Sequence, residues 1–280
     1  MDEFLQRFDL PIGDWVESGV AWIRNNLEPL LDAIAGIIGF FTDAFETALL
    51  FLPAWLLGLA IIALSTWRVS WKFGIFAFLA LGTIIGIGLW HPTVQTLSLV
   101  LAASTVALIV GMPVGIAMAR NDLVEALVRP VLDFMQTMPP FVYLIPAAIF
   151  FGLGKVPGAI ATVVFAMPPA VRLTNLGIRQ VNPEQIEAGL AFGCTRRQLL
   201  TKVQLPLAMP SIMAGINQTI MLALSMVVIA SMIGAGGLGN TVLTGIQRLN
   251  VGLGFEGGLG VVILAILLDR ITQSFAPKRR

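Results

Sequence analysis

Charged side chains are scarce in this sequence. They make up 12% of the 280 residues, and the formal net charge is only +1. The seventeen Lys and Arg occur in short groups between apolar runs, so the sequence has no basic patch suited to nucleic acid. A single cysteine, Cys194, excludes an intramolecular disulfide and a cysteine-rich metal site. The chain is 57% hydrophobic with a mean hydropathy of +0.88, which is more apolar surface than one soluble core can bury. We therefore expect a membrane protein.

Several enzyme motifs are also missing. His91 is the only histidine, and the sequence has no His-Glu-x-x-His, no Gly-x-Ser-x-Gly and no phosphate-binding Gly-x-x-x-x-Gly-Lys-Ser/Thr. Gly234-x-Gly236-x-x-Gly239 fits a dinucleotide motif by its letters, but it follows an apolar span rather than a strand, so we interpret it as a tight turn. We expect a chain that is not an enzyme and that binds no metal, cofactor or nucleic acid.

Seven apolar runs are long enough, or nearly so, to cross roughly 30 Å of hydrocarbon, which takes about 20 helical residues. They lie near 49–66, 73–90, 97–118, 134–153, 156–171, 211–233 and 257–275. The run 156–171 is short and ends near Pro168-Pro169, which predicts a tilted or broken span. Six spans is the alternative count. The predicted fold class is an all-α, polytopic transmembrane helical bundle.

The positions of Lys and Arg predict the orientation, because short loops rich in these residues stay on the cytoplasmic side. Such groups occur at 68–72, 120–129, 172–209 and 278–280, and alternating crossings place all four inside. Residues 1–46 contain nine acidic residues against only Arg7 and Arg24. We therefore expect a multi-pass chain with its N-terminus outside and its C-terminus inside.

The N-terminal stretch 1–46 mixes large apolar residues such as Trp15 and Trp22 with acids such as Asp14 and Glu28. This pattern predicts an amphipathic helix on the membrane interface, with tryptophan at headgroup depth. A simple packing collar for the first spans is an equally good interpretation. The predicted division is an interfacial segment, 1–46, and a transmembrane domain, 47–280.

The longest inner segment, 172–209, is more charged and more ordered in pattern than a simple connector needs. Asn182 is suited to cap a helix that starts at Pro183, and Glu184 and Glu187 lie where acids favour the positive helix end. Gly193 is expected to end this helix, by positive φ or by close backbone approach.

A second helix is expected to start at or just after Thr195 and to run to Leu205-Pro206. A short helix, a glycine break and a second helix form a compact knob that projects from the membrane.

This knob resembles the EAA loop of ATP-binding cassette (ABC) importer permeases. The family pattern is Glu-Ala-Ala, three residues, Gly, nine residues, Ile, any residue, Leu-Pro. The chain has Glu187-Ala188-Gly189, then Gly193, then Val203-Gln204-Leu205-Pro206. Gly189 replaces the usual second Ala and Val203 the usual Ile, with the spacing intact. The resemblance implies that the loop docks in a groove of a separate ATPase subunit and passes that subunit's motion to the spans.

A wider resemblance covers about 93–275. Gln136-Thr137-Met138-Pro139-Pro140 and Ala214-Gly215-Ile216-Asn217-Gln218 are similar to segments of glycine betaine/proline betaine permeases, as are residues 165–169 and 233–239. The resemblance implies a type I ABC importer permease in the cytoplasmic membrane of a bacterium or archaeon. Its expected partners are a second copy, two ATPase subunits that hold ATP and Mg²⁺, and an extracytoplasmic substrate-binding protein. The expected function is uptake of a compatible solute for osmoprotection, with glycine betaine, proline betaine, proline, choline and carnitine left open.

Candidate residues for the translocation path come from polar side chains in apolar surroundings. Gln136, Asn217 and Gln218 either bond between helices or line the path. Met138-Pro139 frees backbone groups that only protein or a watery cavity can satisfy, so a cavity nearby is plausible.

Methionine is the other source of path candidates. Met167 and Met226 could form adaptable walls for a quaternary ammonium, although methionine at helical spacing is also typical of a core. No aromatic cage of the kind that binds such cations can be assembled from the sequence, so we expect substrate affinity to reside in the binding protein. We interpret Asp269-Arg270 as an ion pair rather than a proton relay.

An autonomous ion-coupled carrier or channel is the alternative function. It would need charged or carbonyl-lined sites at the middle of the membrane within one polypeptide. The apolar runs have no acids at their centres, so this alternative has less support.

Overall fold

The computed structural model describes residues 11–276, which form helices joined by short turns and contain no strand. In chain order the helices are α1 (Ile12–Asn26), α2 (Glu28–Phe51), α3 (Ala54–Arg68), α4 (Trp71–Gly86), α5 (Trp90–Arg120), α6 (Asp122–Thr137), α7 (Leu144–Phe151), α8 (Lys155–Arg179), α9 (Pro183–Ala191), α10 (Arg196–Ile233), α11 (Gly237–Gln247) and α12 (Val251–Gln273). A 3₁₀ turn, Pro140–Tyr143, precedes α7. The predicted all-α bundle is confirmed.

Helix α8 lies at the centre of the bundle and packs most extensively on α10 and α5. Small residues allow this close approach. A Cβ added at Gly115 of α5 would lie 2.6 Å from the carbonyl oxygen of Val171, and one at Gly215 of α10 would lie 3.2 Å from that of Pro169. Such contacts are typical of helix pairs in membranes, where close packing replaces the hydrophobic effect as the driving force.

Four of the predicted spans, 97–118, 156–171, 211–233 and 257–275, fall in helices that are long and apolar enough to cross a membrane. Of the two predictions for the span 156–171, tilted or broken, the break at Pro168-Pro169 is wrong, because α8 continues through both prolines to Arg179. Both prolines are buried against neighbouring helices, which hold the helix in place where two backbone hydrogen bonds are missing.

The predicted span 134–153 is wrong as one continuous helix. Residues 134–137 belong to α6, and the chain then bends by 108° into the 3₁₀ turn and α7. The break falls at Met138 and Pro139, both in extended backbone conformation. Two successive prolines at 139 and 140 disfavour a helix through this point, so the pair α6 and α7 forms one bent unit.

The first two predicted spans, 49–66 and 73–90, correspond to shorter apolar helices. The helices α3 and α4 have 15 and 16 residues. At 1.5 Å per residue they are roughly 22 to 24 Å long, less than the thickness of the hydrocarbon. By length and composition, five helices of the described chain qualify as spans, or six when the bent pair is included.

Helix α2 was not among the predicted spans, yet it is 24 residues long and apolar enough to qualify as one. Its contacts lie at the ends of α5 and α8: a Cβ at Gly39 would be 3.6 Å from Val156, and Glu46 forms an ion pair with Lys155. Gln95 donates a second hydrogen bond to Glu46, at 3.4 Å. The predicted domain boundary at residue 46 therefore falls inside α2. Within the described part of the predicted interfacial segment, residues 11–46, a separate helix is formed by residues 12–26.

Candidate coupling loop and translocation path

Helix α9 starts as its sequence predicts. The Asn182 side chain accepts a hydrogen bond from the backbone N–H of Glu184 at 3.0 Å, which makes Asn182 the N-cap. Pro183 occupies the first turn, where its missing N–H is not needed, and Glu184 lies at the positive end of the helix. The first helix of the predicted knob is confirmed.

Gly193 ends this helix. Its φ is +79°, and its N–H donates to the carbonyl of Leu190 at 2.9 Å, while the N–H of Cys194 donates to that of Gly189 at 3.1 Å. These bonds satisfy carbonyls that a helix end leaves free. A Cβ at Gly193 would have nothing within 4 Å, so of the two predicted reasons for glycine the positive φ is the correct one.

Gly189, which replaces the second Ala of the EAA pattern, has a packing role. It is buried, and a Cβ at this position would lie 2.9 Å from Leu199 and 3.5 Å from Val203. The start of α10 thus packs directly on the backbone of α9. The knob is a closed two-helix unit rather than an open hairpin.

The second helix begins at the predicted position but does not end there. Thr195 and Gln198 form a reciprocal capping box, and the helix then continues through Leu205 and Pro206 to Ile233. The predicted end at Leu205-Pro206 is therefore wrong. Residues Leu199–Gln204 form a π-helical segment that ends two residues before Pro206. This wider turn accommodates a proline that has no N–H to donate, so the knob joins the span α10 without a break.

The outer surface of α9 is exposed and largely apolar at its tip. Phe192 is 91% exposed and Leu190 52% exposed, and Glu184, Glu187 and Ala188 are also exposed. Sequence analysis did not select Phe192 or Leu190, although a large apolar residue beside Gly193 in a charged segment was a usable signal. An exposed phenylalanine on a short, well-capped helix is suited to insert into a groove of another chain.

The end of α8, three residues before Asn182, carries a polar network that the sequence analysis also missed. Arg179 lies 2.6 Å from Asp122 and 2.9 Å from Glu125, and it donates to the carbonyl of Met118 at 2.8 Å. Asn175 donates to Glu125 at 3.1 Å. The network joins the ends of α5 and α8 to the start of α6. The bonds between helices join residues that are 50 to 61 positions apart in sequence, so no local pattern indicates the network.

The predicted loop 172–209 thus begins too early. Residues up to Arg179 belong to α8, and Arg172 forms an ion pair with Asp133 of α6 at 2.5 Å. Two arginines on α8 therefore hold both ends of α6 against the bundle.

Among the path candidates, Asn217 bonds between helices. Its side chain donates to Asp269 at 3.0 Å and accepts from Thr272 at 2.8 Å, which links α10 to α12. Asp269 also accepts from Gln273 at 2.6 Å and lies 3.9 Å from Arg270. Of the two predicted roles for Asn217, bonding between helices is the one the structure supports. The predicted Asp269-Arg270 pair is present as a long ion pair.

The two methionine candidates differ in burial. Met226 is 0% exposed and packs in a cluster with Tyr143 and Leu144, so the prediction that it lines a path is wrong. Met167 is partly buried and packs against Gly111 of α5, where a Cβ would lie 3.3 Å from its Cγ. The core interpretation of methionine at helical spacing applies to Met226, whereas the path role of Met167 stays a prediction.

Gln136 and Gln218 remain candidates for the path. Both are exposed, and neither side chain makes a hydrogen bond within residues 11–276. Ser225, two turns beyond Gln218 on α10, is exposed too. Gln136 lies just before the break at Met138-Pro139, where Met138 is half-buried and Pro139 exposed. Free amides on apolar helices require water or another chain as their partner.

The glycine-rich segment after α10 is a tight turn, as predicted. Gly234, Gly236 and Gly237 have φ of 88°, 81° and 72°, and the N–H of Leu238 donates to the hydroxyl of Thr96 at 2.8 Å. This turn packs on the same end of α5 as Gln95 and is not followed by a nucleotide-binding strand and helix.

Solved structures of ABC importers share this fold. In two inward-facing crystal forms of the MetNI methionine ABC transporter, a chain aligns with TM-scores of 0.58 and 0.59 at 22% and 23% identity. The alignments cover 64% and 66% of this chain and 92% and 94% of the other. The helical bundle, with its exposed helix between two spans, is that of a type I ABC importer permease.

Sequence comparison then defines the family. Residues 111–280 match the family described as binding-protein-dependent transport system inner membrane component. The glycine betaine/carnitine transport permease protein GbuB of Listeria monocytogenes is 49% identical over 97% of both chains. The glycine betaine/proline betaine permease ProW of Escherichia coli is 48% identical over 95% of this chain and 75% of its own length. The glycine betaine permease OpuAB of Bacillus subtilis is 46% identical over 97% of this chain and 96% of its own. The chain belongs to this family of inner-membrane importer permeases.

Proposed function

We propose that the chain is the permease subunit of an importer for glycine betaine and related betaine-type solutes. The support is the similarity, at 46% to 49% identity and over nearly the whole chain, to permeases whose names specify glycine betaine. The absence of charged residues from the centres of the apolar runs also argues against an autonomous ion-coupled carrier or channel. Uptake of such a solute would serve osmoprotection.

The observation that carries the mechanism is the exposed tip of α9. We propose that Phe192 and Leu190 insert into a groove of a separate ATPase subunit, with Glu184, Glu187 and Ala188 around them. ATP and Mg²⁺ would then be held by that subunit. Two ATPase subunits, a second copy of this chain and an extracytoplasmic binding protein complete the proposed assembly.

Transmission from the ATPase to the spans would use two rigid connections. The first is the unbroken helix from Thr195 into α10, and the second is the Arg179 network between α8 and α6. Alternating access requires two packed arrangements whose balance the ATPase changes. The bent pair of α6 and α7 is the element that these connections would move.

The proposed path follows the exposed face of α10 that carries Gln218 and Ser225, with Gln136 and Pro139 beside the break. In an assembly of two copies, these free polar groups would face the partner or a shared watery space. We also propose that the N-terminus lies outside and the C-terminus inside the cytoplasmic membrane, as the distribution of Lys and Arg indicates.

Co-purification of partner chains with uptake measurements tests this function. The tagged chain is expressed in a cell with its transport partners, extracted in detergent, and its bound proteins are identified by mass spectrometry. Phe192→Asp should reduce bound ATPase at least tenfold and abolish uptake of labelled glycine betaine. Leu153→Asp is the matched control, because Leu153 is also a strongly exposed apolar residue, at 77%, but lies in the turn between α7 and α8.

Two results would contradict the proposal. Normal ATPase binding and uptake by Phe192→Asp would remove the docking role of α9. Betaine uptake by the purified chain alone in vesicles, without any ATPase, would instead favour a carrier.

A further inference from the structure

An apolar cavity of about 260 Å³ lies between the short helices α3 and α4 and the main bundle. It is partly open and exposes only apolar atoms. Its lining residues come from five helices: Leu57, Ile61, Leu64, Leu81, Trp90, Thr93, Val94, Leu97, Leu101, Ile220, Leu264, Leu267, Leu268, Ile271 and Thr272. No proposed step of transport uses this space.

The cavity is suited to hydrocarbon rather than water. The hydroxyl of Thr93 donates to the carbonyl of Leu89 at 2.7 Å, and that of Thr272 donates to Asn217, so neither has a hydrogen left to donate to a water molecule. An apolar cavity of about 150 Å³ is already large enough to stay dry and to bind benzene. This larger cavity therefore fits part of an alkyl chain.

The distance along α3 from Arg68 to the far end of the cavity matches the thickness of one membrane leaflet. It extends along α3 from Leu57 to Leu64, and Arg68 follows one turn later. The eleven residue steps from Leu57 to Arg68 correspond to roughly 16 Å of helix. Half of the hydrocarbon thickness is about 15 Å. A chain whose headgroup lies at Arg68 would thus reach Leu57 and Trp90 at the far end.

Arg68 has free hydrogen-bonding capacity at this end of the cavity. Its Nη2 donates to the carbonyl of Ser274 at 3.1 Å, and its guanidinium lies 4.3 Å from the centre of the Phe275 ring. Its Nε is buried without an acceptor, and no carboxylate among residues 11–276 pairs with Arg68. Exposed Lys72 adds a second positive charge in the same turn. Arg68 is partly exposed and lacks a carboxylate partner in this part of the chain, so an anionic group from outside the chain is a suitable acceptor for its guanidinium.

We propose that this cavity is a binding site for an anionic phospholipid. One acyl chain occupies the space between α3 and the main bundle, and the phosphate headgroup bonds to Arg68. The bound lipid would hold the short helices α3 and α4 against α5 and α12. The proposal depends only on the membrane location of the chain and not on the transported solute.

Fluorescence quenching of Trp90 by lipids with brominated chain ends tests the site. The other five tryptophans, 15, 22, 55, 67 and 71, are between 61% and 79% exposed and are replaced by Phe, which leaves Trp90 alone. The full-length chain is placed in vesicles of phosphatidylcholine and phosphatidylglycerol, with bromine on one lipid at a time. Brominated phosphatidylglycerol should quench Trp90 more strongly, at equal mole fraction, than brominated phosphatidylcholine.

Two variants distinguish the contribution of the lipid headgroup to binding from that of the acyl chain. Arg68→Gln should reduce the preference for phosphatidylglycerol about fivefold, the equivalent of the ~1 kcal/mol that one Lys or Arg contributes near an anionic leaflet. Arg120→Gln is the matched control, because Arg120 is exposed at the end of α5 and does not line the cavity. Ile61→Phe narrows the cavity and should reduce quenching by both lipids.

The proposal fails on either of two results. Equal quenching by the two brominated lipids would show that Arg68 does not select an anionic headgroup. No quenching of Trp90 by either lipid would show that protein, such as a second copy of the chain, fills the cavity. If Ile61→Phe unfolds the chain, the quenching of Trp90 by the two brominated lipids in the single-tryptophan protein still tests the proposal.

Discussion

The knob and helix α2 differ in how far local sequence determines their structure. In the knob, Asn182, Gly193 and Thr195 each start or stop a helix through bonds to residues at most five positions away. In α2, Glu46 pairs with Lys155, 109 residues later, and Ile38 packs in a core cluster with residues of α5 and α8. The family match begins at residue 111 and so includes the knob but not α2. The knob is thus specified by local contacts, whereas the N-terminal helix is positioned by distant ones.

The sharpest test of this comparison is Gly193→Val. A β-branched residue at a φ of +79° is strongly disfavoured, at a cost of about 2 kcal/mol or more, so α9 should lose its defined end. We expect at least a tenfold loss of bound ATPase in co-purification, with normal insertion in the membrane. Gly193→Asn, which tolerates positive φ, should retain most of the binding. Equal binding by the Val and Asn variants would contradict a local origin of the knob.

Arg179→Gln should have the next largest effect. It leaves Asp122 and Glu125 without their cation, and hydrogen bonds to charged groups are worth about 1.5 to 3 kcal/mol, less where solvent reaches them. We expect a decrease of about 1 to 2 kcal/mol in unfolding free energy, measured by thermal denaturation in detergent, and weaker uptake with unchanged ATPase binding. Arg129→Gln, an exposed arginine of α6 without an ion pair in the described chain, is the control and should change neither.

Glu46→Gln tests whether α2 is positioned by its contact with Lys155. The Glu46 side chain is only 13% exposed, so removal of its charge should loosen α2 from Lys155 at a cost of about 1 kcal/mol. Hydrogen exchange should increase in residues 28–51 and stay unchanged in the knob. Faster exchange in both regions would mean that α2 is coupled to the whole bundle rather than held by its own contact.

Gly189→Ala should have the smallest effect. The added methyl would lie 2.9 Å from the end of the Leu199 side chain, which is flexible enough to move. Alanine loses less backbone entropy than glycine when a helix forms. This gain in stability, about 0.5 to 1 kcal/mol, would offset the strain. We expect ATPase binding within a factor of two of the original in the co-purification assay. A tenfold loss would show that α9 and α10 tolerate no change in spacing.

Within the transmembrane region, the sequence pattern predicted the long spans correctly but misjudged the effect of the prolines. Apolar runs located α5, α8, α10 and α12, because lipid exposure requires long apolar stretches. The same reasoning failed at Pro168-Pro169, where packing preserves the helix, and at Met138-Pro139, where the chain turns by 108°. Two adjacent prolines therefore either lie within a helix or end it, depending on the residues that pack around them.

The candidate path shows the same limit for single residues. Asn217, Gln136 and Gln218 are alike as amides in apolar sequence, but only Asn217 has a partner in the neighbouring helix. Met226 and Met138 contact the same cluster, yet only Met226 is completely buried. Whether such a side chain bonds, packs or faces a path depends on residues far away in the chain.

The sequence by itself determined the membrane class, the main spans, the family resemblance and the capping of the coupling knob. These features depend on composition, on apolar run length and on hydrogen bonds within a turn or two of helix, all of which are local. The tertiary structure alone decided the course of α8, the bend after α6, the Arg179 network, the position of α2 and the apolar cavity beside Arg68. Each of these results from contacts between residues far apart in sequence, whose energies depend on helix packing that no local pattern specifies.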